Sequence, residues 1–158
     1  MPRKDVEKLV SWMRSDKKAY FMKGMRDLRN ILPASIRAHD KLTAEELVRE
    51  TVGAFWYWDK RVPRVKNWKK APKKEELESF VADREDMRGR RDEIMALLML
   101  AKEASDHAVS GGHEDKKRKG FALKIGAMID DCEREWGLVA AKRIAEGEMG
   151  GKWIVRIS

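Results

Sequence analysis

The chain has 158 residues, with 35 lysines and arginines against 27 acidic residues and a formal net charge of +8. The apolar fraction of 42% excludes general disorder, and the single cysteine excludes an internal disulfide framework. The longest apolar run has eight residues, far fewer than the ~20 of a membrane span. We therefore expect one soluble, cytoplasmic domain over 1–158, without the apolar stretch of a signal peptide at its amino terminus.

The amino-terminal segment predicts two amphipathic helices. Apolar residues recur every three or four positions from Val6 to Met13, which predicts a first helix over about 4–14. A second apolar stripe follows between residues 20 and 32. Pro33 should end this second helix, because the residue before a proline is disfavoured in the α conformation.

Thr43 and Glu46 predict the start of a third helix. They have the spacing of a capping box, in which the threonine oxygen accepts a hydrogen bond from an amide three residues on and the glutamate reaches back. This helix should end between Trp58 and Pro63. Residues 60–74 then form a basic connector with eight lysines and arginines, no acidic residue, and prolines that restrict its backbone.

The second half of the chain predicts the remaining helices. The apolar pattern over 74–107 indicates two helices, or one kinked helix, that form the buried centre of the fold. Residues 110–120 are expected to be a flexible loop. A last long helix should break at Gly137, with a final helix after it and a short extended tail over 153–157. The fold class is therefore all-α, a compact bundle of about five to seven helices.

Few residue patterns point to catalysis or to a metal. The histidines lack the i, i+4 spacing of a helical zinc pair, and neither His39 nor the loop residue His113 has a rigid set of partner ligands in the sequence. Asp130 and Asp131 are neighbours that point about 100° apart on a helix. A metal nuclease that uses them with Glu133 stays open as a third alternative. We expect no enzyme activity, no metal and no cofactor.

Cys132 lies on the apolar stripe of the last long helix, although acidic residues flank it in sequence. Burial near carboxylates raises the pKa of a thiol, which is the wrong direction for a nucleophile. We expect a small core residue.

Charge is distributed unevenly along the chain. Residues 1–74 carry 20 lysines and arginines against nine acidic residues, whereas residues 75–158 carry 15 against 18. Such an asymmetry between the two halves of a chain is typical of proteins that bind a polyanionic partner. It is equally compatible with a charged face that keeps the protein soluble.

Aromatic residues adjoin the most basic stretch. By helical spacing, Trp56 belongs to the apolar face of the third helix, which leaves Tyr57 or Trp58 more exposed. Trp68 lies within the basic connector. An indole beside lysines can stack on an unpaired base while the ammonium groups hold phosphate. The alternative is that Trp58 and Trp68 pack the connector onto the helices, and Trp12 is expected to pack as well.

The first two helices add further basic residues that fall mostly off the apolar stripe. Together with the connector they predict one surface for nucleic acid. No helix-turn-helix, zinc-finger or RNA-recognition signature occurs, so we expect little sequence specificity. The predicted surface consists of Lys60, Arg61, Arg64, Lys66, Trp68, Lys69, Lys70, Lys73, Lys74, Lys23, Arg26 and Arg29.

Two functions from different classes fit these features. The first is a non-catalytic binder of nucleic-acid backbone, RNA or DNA, single-stranded or in a heteroduplex. Such a binder would act with other protein subunits in a nucleoprotein complex, such as a defence effector, and without a membrane. The second is a phage-like helical adaptor or inhibitor that docks on an acidic protein surface. In size, helicity and basic faces the chain is similar to small helical subunits that line nucleic acid in multi-subunit CRISPR effector complexes, and to many small phage proteins.

Overall fold

A computed structural model of the chain describes residues 2–63, 72–110 and 116–145. These residues form five packed helices and no strand, which confirms the all-α fold class. Within the described ranges no helix has the length and apolar character needed to cross a membrane. Residues 64–71 of the basic connector and the tail at 153–157 lie outside these ranges. The helices are α1 (Arg3–Met13), α2 (Lys18–Arg37), α3 (Lys41–Arg61), α4 (Lys74–Ser110) and α5 (Lys116–Ala145).

The longest helix, α4, lies at the centre of the bundle. It has 37 residues, which corresponds to a length of ~55 Å, and it packs against α2, α3 and α5. Ile94, Leu97 and Leu98 are fully buried among these neighbours. The sequence left open two helices or one kinked helix; the structure has one continuous helix. Its run of apolar residues packs against three helices at once, and Ala96 and Leu100 are the members of the run that stay exposed.

Pro33 lies inside α2 rather than at its end, so the predicted helix end is wrong. A proline cannot donate a backbone hydrogen bond, and this loss normally interrupts a helix. Here Leu32 and Ile36 are buried in the core on either side of it. The hydroxyl of Ser35 also donates to the carbonyl oxygen of Ile31 at 2.6 Å. Burial of this apolar face outweighs the local preference of the proline.

The turn between α2 and α3 differs from the predicted capping box. His39 has a positive φ of 60° and follows α2 as the left-handed residue of a Schellman motif. The backbone N–H of Asp40 donates to the carbonyl of Ser35 at 3.0 Å, and that of His39 donates to the carbonyl of Ile36 at 3.1 Å. Asp40 then caps α3, because its carboxylate accepts from the backbone N–H of Thr43 at 3.4 Å. Thr43 is therefore inside the first turn and not the cap.

The last helix, α5, is continuous through Gly137, so the predicted break is wrong. Contacts on both sides of the glycine hold it to the bundle. Before it, the ring of Trp136 packs edge-on against Phe55, with 5.4 Å between ring centroids. After it, Arg143 donates to the carboxylate of Asp59 at 2.9 Å. The helix also begins at Lys116, so residues 116–120 are helical and not part of the expected loop.

The close crossing of α1 and α2 depends on Gly24. A Cβ atom at this position would lie 2.8 Å from the Cβ of Trp12, closer than such atoms approach, and neither atom is at the flexible end of a side chain. At Gly137, in contrast, an added Cβ atom would have no heavy atom within 4 Å, apart from the adjacent residues and the backbone of its own helix. The two glycines therefore form a matched pair, one required by packing and one not.

Alanine substitution should separate the two positions. We expect Gly24→Ala to lower the free energy of unfolding by about 1–3 kcal/mol, because the clash forces α1 and α2 apart. Gly137→Ala should raise it by up to about 1 kcal/mol, because alanine is the better helix former. Urea denaturation followed by circular dichroism measures both. A stabilised Gly24→Ala variant would contradict the crossing, and a destabilised Gly137→Ala variant would contradict a continuous α5.

Candidate nucleic-acid interface

Three helix termini meet at one end of the bundle: the last turn of α1, the first turns of α2 and the last turns of α3. The indole N–H of Trp58 donates to the carbonyl oxygen of Met13, the last residue of α1, at 2.7 Å. The ring of Phe21 in α2 lies edge-on to Trp58, with 5.8 Å between centroids. We call this region the basic end and define its cations as Lys8, Arg14, Lys17, Lys18, Lys23, Lys60 and Arg61.

Arg90 of α4 holds the turn between α1 and α2 from inside the bundle. Its guanidinium donates to the carbonyl oxygens of Ser15 and, at 2.9 Å, Asp16. It also lies over the rings of Phe21 and Trp58, at 5.2 and 4.6 Å from their centroids. Only 6% of Arg90 is exposed. A cation at this position also compensates the negative end of the α1 dipole.

Asp59 links the end of α3 to α4 and α5. One of its carboxylate oxygens accepts from Arg91 at 3.0 Å and from Arg143 at 2.9 Å. Asp59 is 1% exposed, so its charge is compensated inside the protein rather than by water. Both guanidinium groups also lie over the ring of Trp136, at 4.4 and 5.6 Å. This ion cluster fixes the last turn of α3, which carries Lys60 and Arg61.

Trp58 is fully buried, so the expectation that it lies more exposed than Trp56 is wrong. Helical spacing alone gave this side chain a direction away from the main apolar face. However, α3 packs against all four other helices, and the face that carries Trp58 is covered by α1, α2 and Arg90. Tyr57 and Trp56 are half-buried. Trp58 is therefore a packing residue, but its contacts join α3 to α1, α2 and α4. Trp68 and residues 64–71 of the connector lie outside the described residues.

A first group of exposed cations surrounds two parallel rings on α1 and α2. The rings of Trp12 and Tyr20 are within 4° of parallel, with 6.4 Å between centroids. The ammonium groups of Lys8 and Lys23 lie 4.7 and 5.1 Å from the Trp12 ring centroid. That of Lys17 lies 5.4 Å from Tyr20. Trp12 packs against the core as expected, but its ring also forms part of this surface.

A second group lies on the last turn of α3, beside a shallow cleft of about 450 Å³. The guanidinium of Arg61 is 3.9 Å from the ring centroid of Tyr57 and donates to its phenol oxygen. Arg14, which follows the last residue of α1, reaches the same ring at 6.0 Å and pairs with Glu50 at 3.3 Å. Arg14 and Trp12 are two residues apart in the chain, so the two groups of cations flank the same helix end.

The structure brings only part of the predicted surface together. Lys60, Arg61 and Lys23 belong to the basic end. Arg26 is exposed further along α2, and Arg29 is engaged by Glu93 of α4.

Two further predicted residues lie at the start of α4, and the rest cannot be placed. Lys73 and Lys74 are exposed, and the Lys74 ammonium is 3.9 Å from Glu78. Arg64, Lys66, Trp68, Lys69 and Lys70 fall outside the described residues.

The pairing of Trp12 with Tyr20 was missed by the sequence analysis. A local signal for it exists, because Lys8 lies four residues before Trp12 and Lys17 three residues before Tyr20 on helical faces. The approach of the two rings to each other depends on the crossing of α1 and α2. Helical spacing within one segment carries no information about that crossing.

The two adjacent aspartates of α5 have separate basic partners. Asp130 accepts from Lys102 of α4 at 2.9 Å, whereas Asp131 pairs with Arg134 on its own helix. Among the described residues, no three histidine, cysteine, aspartate or glutamate side chains are grouped as a metal ion would require.

Cys132 is buried in the core, as the sequence analysis predicts. Burial raises the pKa of its thiol to about 11, and the nearby charges of Glu135 and Glu133 act in the same direction. A thiol with such a pKa is almost entirely protonated at neutral pH, so it is a poor nucleophile.

No protein-family model, curated protein or solved structure matches this chain.

The buried guanidinium of Arg90 should be essential to the basic end. Replacing it with methionine removes a charged donor from two carbonyl oxygens, so we expect Arg90→Met to lower the free energy of unfolding by about 2–4 kcal/mol. Arg88→Met is the matched control, because Arg88 lies two residues away on the same helix and is exposed. It should change stability by less than about 0.5 kcal/mol. Equal losses in the two variants, measured by urea denaturation, would contradict the role of Arg90.

Proposed function

We propose that the protein binds the backbone of nucleic acid at the basic end, without catalysis and with little sequence specificity. One observation carries the proposal: six exposed cations from three helices and one turn gather at this end, and none forms an ion pair within the described residues. They are Lys8, Lys17, Lys18, Lys23, Lys60 and Arg61. Some exposed cations elsewhere, such as Lys124 and Arg134, are engaged by acidic partners.

The local sequence keeps acidic residues away from this surface. Residues 14–26 contain five lysines and arginines and one acidic residue, Asp16. Each cation that neutralises a phosphate releases condensed counterions, which provides a favourable free energy without reading the base sequence. Contacts of this kind set position and affinity rather than specificity. Sequence choice would then come from partner subunits, which fits a component of a larger nucleoprotein complex.

The basic connector supports the same location. Its residues 64–71 follow Pro63, whose carbonyl oxygen accepts from the buried Arg84 at 2.8 Å. Chain connectivity therefore joins residues 64–71 to the basic end, and this stretch contains four lysines and arginines and no acidic residue. We propose that these cations extend the same phosphate-binding surface.

The proposal is tested by the salt dependence of binding. Fluorescence anisotropy with mixed-sequence RNA and DNA oligonucleotides should show affinity that falls steeply between low and physiological salt. The double variant Lys18→Gln/Lys60→Gln should reduce the slope of log K against log salt by about 1.4–1.8 units, since each lost phosphate contact removes about 0.7–0.9. It should weaken binding similarly on every sequence.

Two lysines at the opposite end of the bundle provide the matched control. Lys41 and Lys116 are exposed at the starts of α3 and α5, and Lys41 is ~30 Å from Lys60 along a helix of 21 residues. Lys41→Gln/Lys116→Gln has the same net charge as the test variant and should keep the wild-type slope. Equal losses in the two double variants, or no binding by the wild type at low salt, would contradict the proposal. Capture of a protein after nuclease treatment by material that binds no oligonucleotide would favour the adaptor function instead.

A further inference from the structure

The exposed ring of Tyr20 lies beside the ring of Trp12, which packs against the core. Tyr20 is 46% exposed and runs parallel to Trp12, which is half-buried. Trp12 is fixed because its Cβ lies against Gly24 at the crossing of α1 and α2. The two rings therefore form a rigid aromatic surface that is partly exposed to solvent.

The lysines around these rings match the chemistry of an unpaired nucleotide. Lys8, Lys17 and Lys23 place their ammonium groups 4.7–5.4 Å from the ring centroids. An exposed cation–π contact is weaker than the stacking of a base on an aromatic ring. A base therefore displaces an ammonium group from the ring face, and the displaced cation is then available to the adjoining phosphate. An acidic polypeptide offers carboxylates to the lysines but no flat group to the rings.

We infer that the Trp12–Tyr20 pair is a stacking platform for unpaired bases, so that the partner is a single-stranded nucleic acid. The inference rests on the proposed function and adds that the bound strand is unpaired. In a duplex the base faces are stacked on one another, and the platform has nothing to bind. RNA and DNA share the chemistry that the platform recognises.

Tyr20 is the position for the test, because its exposure allows substitution with little effect on folding. Binding is measured by anisotropy for three probes of equal length: a thymidine oligonucleotide, a duplex, and an abasic strand that keeps the phosphates. Tyr20→Ala should weaken binding to the thymidine strand by about fivefold to a hundredfold. Its affinity for the duplex and the abasic strand should stay within about twofold of the wild type.

Two further variants separate stacking from other effects. Tyr20→Phe keeps the ring and loses the hydroxyl, so it should bind the thymidine strand as the wild type does. Met22→Ala removes a side chain of similar exposure, 38%, from the same turn of α2, and it should also leave binding unchanged. Thermal melting of each variant gives the folded fraction to which affinities are referred.

The outcomes distinguish this inference from the proposed function. Salt-dependent binding of all three probes that Tyr20→Ala leaves unchanged would overturn the platform and keep backbone binding. A wild type that binds none of the probes at low salt would overturn both. Competition by poly-glutamate as effective as that by the thymidine strand would overturn the platform in favour of an acidic protein partner. A selective loss on the thymidine strand, restored by Tyr20→Phe, supports it.

Discussion

The buried carboxylate of Asp59 is the constraint on which the rest of the structure depends. A charge removed from water must be paired, and Asp59 is paired with Arg91 of α4 and Arg143 of α5. Arg90, the next residue on α4, points to different partners and reaches the turn between α1 and α2. Two successive side chains of the central helix therefore tie all five helices together at one end. Removal of either partner leaves buried charge or unsatisfied carbonyl oxygens, so this end forms as a unit or not at all.

The same constraint divides the cations of the protein into two classes. The buried ones that organise this end are Arg84, Arg90 and Arg91 of α4. A guanidinium group donates several hydrogen bonds in one plane and can stack on rings. The exposed ones are mostly lysines, whose compact ammonium groups are strongly hydrated and stay at the surface. Because the internal carboxylate is already engaged by arginines, the lysines of the basic end are left for an external anion. Fold and proposed function thus use different basic residues of the same region.

The sequence predicted the helices well where a single apolar stripe faces the core, as over Val6 to Met13. It failed where contacts from other helices override a local preference, as at Pro33 and Gly137. Trp58 was assigned to the wrong side of α3, because that helix is covered on more faces than one stripe indicates. Arg84 and Arg91 interrupt the apolar stripe of the central helix, but their partners, the carbonyl oxygen of Pro63 and the carboxylate of Asp59, lie 21 and 32 residues away along the chain. The sequence predicted the chemical character of the candidate site, a basic and aromatic surface. It could not predict the pairing of Trp12 with Tyr20, because that pairing depends on how α1 and α2 cross.

Hydrogen exchange measured by mass spectrometry, with and without a saturating single-stranded oligonucleotide, tests most directly whether this organised end is the binding surface. The account predicts slower exchange over residues 8–25 and 55–63, where the turn between α1 and α2 and the last turns of α3 lie side by side. It predicts no change over residues 34–45 at the opposite end of the bundle. Protection of residues 34–45 without protection of residues 8–25 would contradict the account.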